Sequence, residues 1–191
     1  MAALSRCKNL ITSVGSLDKY LLICALAIAT VGAIKDVRGR RIPNWLTYSG
    51  LLAALVVRGA FAGWAGLKDG LLGMLLAGGI FYLLFLLGGM GGGDVKLVAA
   101  VGAWAGTVQV ESVLIVAALA GGALAVCYVV LHRQVRETLL NTLELVRHHA
   151  TAGFQPHPVL NVQQPGTMRL PYGLAVAIGT LYCVGNAFWW R

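Results

Sequence analysis

Twenty consecutive residues, Gly70 to Gly89, carry no charged side chain. At 1.5 Å rise per residue such a run makes a helix about 30 Å long, the thickness of a bilayer's hydrocarbon core. Comparable apolar runs cover about residues 17–34, 44–63, 95–110, 112–131 and 170–190. Backbone polar groups in hydrocarbon must be bonded within the chain, so runs of this kind fold as helices. The expectation is an all-α integral membrane protein, a bundle of about six transmembrane helices forming one polytopic domain over residues 1–191. Only 12% of the 191 residues are charged and 58% are hydrophobic, against about a quarter charged in a soluble domain.

The segments between the runs set boundaries and orientation. Residues 1–16 include Arg6 and Lys8 and have neither a clear apolar core nor a small-residue cleavage site, so an interfacial lead-in is expected rather than a signal peptide. Pro43 suits the first turn of the second helix. Arg58, about 21 Å further along that helix, is expected to snorkel to the opposite surface. Asp18 beside Lys19 and Asp69 beside Lys68 read as ordinary interfacial charges, and Glu111 as the exit of the fourth span. In the polar connection 132–169, Val135, Leu139, Leu143 and Val146 share one helical face, which predicts an interfacial amphipathic helix. Pro156 to Pro165 form an irregular return, and Trp189-Trp190-Arg191 an interfacial anchor.

Six spans divide the basic residues unevenly. Nine of the 15, namely Lys35, Arg38, Arg40, Arg41, Lys96, Arg133, Arg136, Arg147 and Arg169, fall in the first, third and fifth connections. These connections are therefore cytoplasmic and both termini outside. The formal charge of +8 is accounted for by orientation in a lipid bilayer, with no nucleic-acid partner. Asp36 and Asp94 then share the cytoplasmic face.

Two carboxyls at membrane depth are costly and call for a functional reading. A carboxylate that activates water, beside an acid that protonates the departing group, is the minimum for peptide hydrolysis. Two close carboxyls share a proton and so divide those roles. The glycines before Asp94, Gly91 and Gly93 among them, allow a close approach of backbone. Spacing alone leaves alternatives open: Asp94 as a helix cap, and Asp36 paired with Arg38, Arg40 or Arg41.

The local sequences narrow this. Asp36-Val37-Arg38-Gly39-Arg40-Arg41-Ile42-Pro43-Asn44-Trp45-Leu46 resembles the first catalytic motif of the type IV prepilin peptidases. Gly91-Gly92-Gly93-Asp94-Val95-Lys96-Leu97 resembles their second, the GxGD motif of polytopic aspartic proteases, and Leu170-Pro171-Tyr172-Gly173 resembles the segment opening the family's last helix. The resemblance spans about residues 20–190. It implies that Asp36 and Asp94 are a catalytic pair and that prepilin or pseudopilin substrates, a basic leader followed by an apolar helix, are cut on the cytoplasmic side of a bacterial inner membrane. It implies no metal and no cofactor. Paired CxxC motifs of the family's larger members are absent from this sequence, as is any methyl-donor motif, so a peptidase without methyltransferase activity is expected. This is like the short forms of tight-adherence (Flp-type) pilus systems. Archaeal preflagellin peptidases share the chemistry.

Lys96 has two readings, acting on Asp94 or anchoring at the interface. Pro43 and Asn44 are expected to shape a helix start, while Pro171, Tyr172 and Gly173 either line the cleft or open a helix. Arg38 belongs with the topology-setting charges. Four histidines, His132, His148, His149 and His157, lack carboxylate or cysteine partners for a metal set. Cys7, Cys24, Cys127 and Cys183 are scattered, and three of them are expected to be buried thiols. Gly59/Gly63, Gly66/Gly70 and Gly102/Gly106 have GxxxG spacing, for packing within the bundle or between protomers. The competing classes are a small transporter or assembly scaffold, without the internal repeat a transporter often shows, and a signal-peptide-peptidase type, against which the Arg-rich Ile-Pro-Asn context argues.

Overall fold

A computed structural model describes residues 2–39, 41–133, 135–152 and 171–189. These residues are helical with short connections: α1 (Ala2–Gly39), α2 (Asn44–Leu86), α3 (Gly92–Leu131), α4 (Val135–Ala152) and α5 (Tyr172–Trp189). Among the described residues, four helices are long and apolar enough to cross a membrane, counting α1 from Leu17. Only 17–39% of each apolar window is buried inside the protein. The remaining apolar faces, with Leu52, Val56, Leu72, Ile115 and Leu119 exposed, match a lipid-facing bundle rather than a water-facing one.

Neither α2 nor α3 is a straight rod. Gly63 breaks α2 (φ 61°, ψ −150°) and Gly106 breaks α3 (φ 71°, ψ 179°), conformations open to glycine and strained for other residues. Arg58 and Asp69, 11 residues apart, meet at 2.6 Å; an unbroken helix would separate them by about 16 Å along its axis. Likewise Asp94 and Tyr128, at opposite ends of α3, line a single cavity. Both helices are therefore helical hairpins, so that among the described residues α1, α5 and the two hairpins supply six helical limbs beside α4. The α2 break falls at Gly63, where the second run was expected to end. The α3 break precedes the expected exit at Glu111, because only Gly106 tolerates the conformation needed to turn. The helix after Gly63 also starts at once, ahead of the expected Gly70.

Small residues let the hairpins meet backbone to backbone. A side chain on Gly73 would strike the Gly102 carbonyl, and one on Gly102 the Gly73 carbonyl and Ala77. Gly66/Gly70 and Gly102/Gly106 thus serve the interior of the bundle, while a side chain on Gly59 would meet nothing within 4 Å. The core continues through Leu21, Leu22 and Ala25 of α1, Phe81 of α2, Val98 and Trp104 of α3 and Val176 of α5. Trp104 donates its indole N–H to the Gly50 carbonyl at 2.8 Å, which leaves its polar atom bonded inside the apolar core.

Three expectations are corrected. Arg58 does not snorkel: it is 4% exposed, bonded to Asp69 and, at 2.9 Å, to the Trp104 carbonyl. Asp69 is no ordinary interfacial charge either, since it also accepts the Thr107 amide at 3.0 Å and the Thr107 hydroxyl. The expectation of three buried thiols fails too: Cys24 and Cys127 are exposed on the apolar surface and Cys183 is buried, because a residue inside a span can still face outward. The first helix continues past Ile34 to Gly39, so Asp36 is on its last turn. Residues 135–152 are helical as expected, with Leu143 and Val146 exposed. The Pro156–Pro165 return, Leu170 and Trp190-Arg191 lie outside the described residues.

Removing one partner of a buried ion pair strands the other charge. Arg58→Met should cost about 2–3 kcal/mol, less than the ~3–5 kcal/mol of a fully buried pair because the Asp69 side chain is 34% exposed. Denaturant titration in detergent should show that loss, and Arg58→Met/Asp69→Asn should recover part of it.

Candidate active site

Asp36 comes from the end of one helix and Asp94 from the start of another. Asp36 stands on the last turn of α1, 9% exposed, and its Oδ2 accepts the Gly173 amide at 3.0 Å. That amide belongs to the first turn of α5, whose early N–H groups have no partner inside their own helix. A side chain on Gly173 would meet Asp36 Oδ2 and the Ala33 backbone, each at 3.2 Å. Asp94 lies in the first turn of α3, half-buried, behind Gly91 as the N-cap residue in extended conformation. The position expected of a capping side chain thus falls to Gly91. Asp94 is within electrostatic reach of the Tyr172 phenol.

Both aspartates line one cavity of about 890 Å³. Its wall runs from Lys35 through Arg41, Ile42, Pro43, Asn44 and Trp45, then Gly89 to Gly93, and closes with Tyr128, Pro171 and Tyr172. Gly91, Gly93, Pro43, Asn44, Pro171 and Tyr172 are therefore brought together with the aspartates, and Gly173 touches Asp36 from behind. An apolar recess of about 240 Å³ adjoins it, sharing Tyr128, Pro171 and Tyr172 and extending to Gly121, Leu124, Cys127, Leu131 and Ala175.

Arg38 and Lys96, like Gly173, fall outside the lining. Arg38 is exposed. Lys96 donates from Nζ to Asn44 Oδ1 at 3.0 Å and sits 5.3 Å from the centre of the Tyr48 ring. It ties the start of α3 to the start of α2, a bond between the two aspartate motifs that neither earlier reading anticipated. Pro43 is the N-cap residue of α2 (φ −69°, ψ 136°) rather than part of its first turn, since helix geometry begins only at Asn44.

Sequence reasoning passed over Lys35, Ile42, Trp45 and Tyr128. Lys35 adjoins the Asp36 motif and Ile42 and Trp45 lie within it, so these three were legible by proximity. Tyr128 carries no local signal, because only the reversal at Gly106 returns it to the cavity. Tyr172 is held by an edge-on contact with Phe81, ring centres 5.4 Å apart, and by Gly121, whose side chain would strike its ring.

A family model described as the type IV leader peptidase family matches residues 21–126. The chain belongs to that family. The match contains Asp36, Asp94 and the glycine turn, and stops short of Pro171-Tyr172-Gly173. No curated protein and no solved structure matched the chain. Membership and the apolar helices together make this a multi-pass membrane protein of peptidase type.

The Lys96–Asn44 bond generates a double-mutant cycle. If Lys96 acts through Asn44, Lys96→Met and Asn44→Ala should be non-additive in unfolding free energy, with coupling of about 0.5–1 kcal/mol at this exposed position. Additive losses would detach Lys96 from Asn44.

Proposed function

We infer that this protein is a membrane aspartic endopeptidase that removes basic leader peptides from prepilin-like substrates. The observation that carries the reading is the meeting of Asp36 and Asp94, from different helices, on one open cavity. Their carboxyls share a proton, one drawing a proton from water while the other supplies a proton to the substrate. Packing of α1 and α3 against α5 supports the two helix ends that carry them. The reaction needs no metal or organic cofactor in this reading.

Six limbs cross the membrane, with the cavity on the cytoplasmic face and α4 lying at that interface, as the loop charges favour. Arg41 and Lys35 on the wall would repel a basic leader in the cavity itself, so the leader's charges lie outside it, near headgroups. The adjoining recess is apolar and suits side chains of the substrate's apolar segment. The product keeps a free, unmethylated amine, because nothing in the sequence resembles a methyl-donor site.

Cleavage of a co-expressed prepilin-like substrate, read by gel shift and N-terminal mass analysis, tests this. Asp36→Asn and Asp94→Asn should each lower the rate by at least about a thousandfold, consistent with losing one member of a unit that acts together. Wild type should give a bell-shaped pH dependence set by the pair as a whole. Cleavage surviving either substitution would remove that residue from the chemistry.

A further inference from the structure

The two aspartates stand in unlike surroundings. Asp36 occupies the last turn of α1, where the helix presents its partial negative end, and it is almost entirely buried. Both conditions disfavour a charge. The α5 N-terminus and the Gly173 amide at 3.0 Å favour one, so at Asp36 two helix ends oppose each other and burial decides. Asp94 occupies the first turn of α3, at a partial positive end, and is only half-buried. There, helix end and solvent access act in the same direction.

Other ionisable groups also line the cavity. Among the described residues of the cavity wall these are Lys35 of α1, Arg41 ahead of α2, and Tyr128 and Tyr172 of α3 and α5. The α2 residues on the wall, Asn44 and Trp45, are neutral. Lys35 and Arg41 put positive charge on the wall that both aspartates share, and Tyr172 interacts electrostatically with Asp94.

Resting on the peptidase reading above, we propose that the dyad is asymmetric: Asp94 is the carboxylate that deprotonates water, Asp36 is the protonated partner, and Gly173 is the positioning residue that holds Asp36. With Oδ2 engaged by the Gly173 amide, the proton resides on Oδ1. Water loses a proton to Asp94 as its oxygen bonds to the scissile carbonyl carbon, and Asp36 protonates the carbonyl oxygen, forming a gem-diol. Asp94 then passes its proton to the nitrogen as the C–N bond breaks. Asp36 recovers a proton from the collapsing diol, leaving acid, amine and the starting dyad. Gly173 acts through Asp36 and touches no reacting atom.

Infrared titration of the carboxyl C=O band tests the assignment without substrate. Asp94→Asn reports Asp36 alone, Asp36→Asn reports Asp94 alone, and the Asp36→Asn/Asp94→Asn protein supplies the reference spectrum. The Asp36 band should persist to a pH at least about one unit above the Asp94 band, a tenfold difference in proton affinity. Coincident or reversed midpoints would overturn the assignment. Gly173→Ala tests the positioning role by displacing the carboxyl from the amide and weakening a bond that favours its charged form. The upper limb of the cleavage profile should then move to higher pH with the lower limb fixed. Movement of the lower limb would make Asp36 the base, and two fixed limbs would leave Gly173 a packing residue; either overturns the proposal. Failure of the peptidase reading would show separately, as cleavage retained in the single Asn variants.

Discussion

Two hairpin reversals bring distant parts of the chain to one end of the bundle, and a single ionic knot holds both. Arg58 from the first limb of α2 binds Asp69 from the second, and Asp69 accepts the amide and hydroxyl of Thr107, just past the break in α3. Asp18 of α1 is within electrostatic reach of Arg58 and Asp69. A buried guanidinium is costly by several kcal/mol unless paired. Here the pairing also defines where two helices turn. Gly106 is the residue at the centre, since any side chain there would collide with Asp69 and Arg58.

Reversal at one end creates the site at the other. Because α2 doubles back, Asn44 and Gly89 face the same cavity, and because α3 doubles back, so do Asp94 and Tyr128. The cavity is therefore walled by helix ends, where backbone N–H and C=O groups lack intrahelical partners. Such ends are natural places to hold a carboxyl in apolar surroundings, as the Gly173 amide holds Asp36. A helix end contributes roughly 0.3–1 kcal/mol to a nearby charge. That is modest against the cost of burial and large enough to order two otherwise identical side chains.

The same logic connects the glycines to the chemistry. Gly73 and Gly102 allow backbone contact between α2 and α3, which sets the distance between the limbs carrying the cavity wall. Gly121 admits the Tyr172 ring and Gly173 admits Asp36. Close packing fixes these positions because protein interiors tolerate little change in volume. The apolar recess beside the cavity that Asp36 and Asp94 line belongs to the same junction of α3 and α5, so a polar and an apolar surface adjoin there.

The apolar runs, their lengths and the basic bias were legible in the sequence because membrane insertion depends on composition summed over about 20 residues. The aspartate motifs were legible because each lies within a dozen consecutive residues, and Pro43 and the glycine turn mark helix starts locally. The roles of Arg58 and Asp69 were not, since pattern alone treats a charge near a span end as interfacial, whereas here each finds its partner across a reversal. Tyr128 likewise gives no signal 34 residues after Asp94, and Lys96 reaches Asn44 across 52 positions. Sequence by itself determined which segments are helical and apolar and which carboxyls stand out. Tertiary structure decided which ends meet, because a buried charge is stable only where folding supplies its partner, and that partner is remote in sequence.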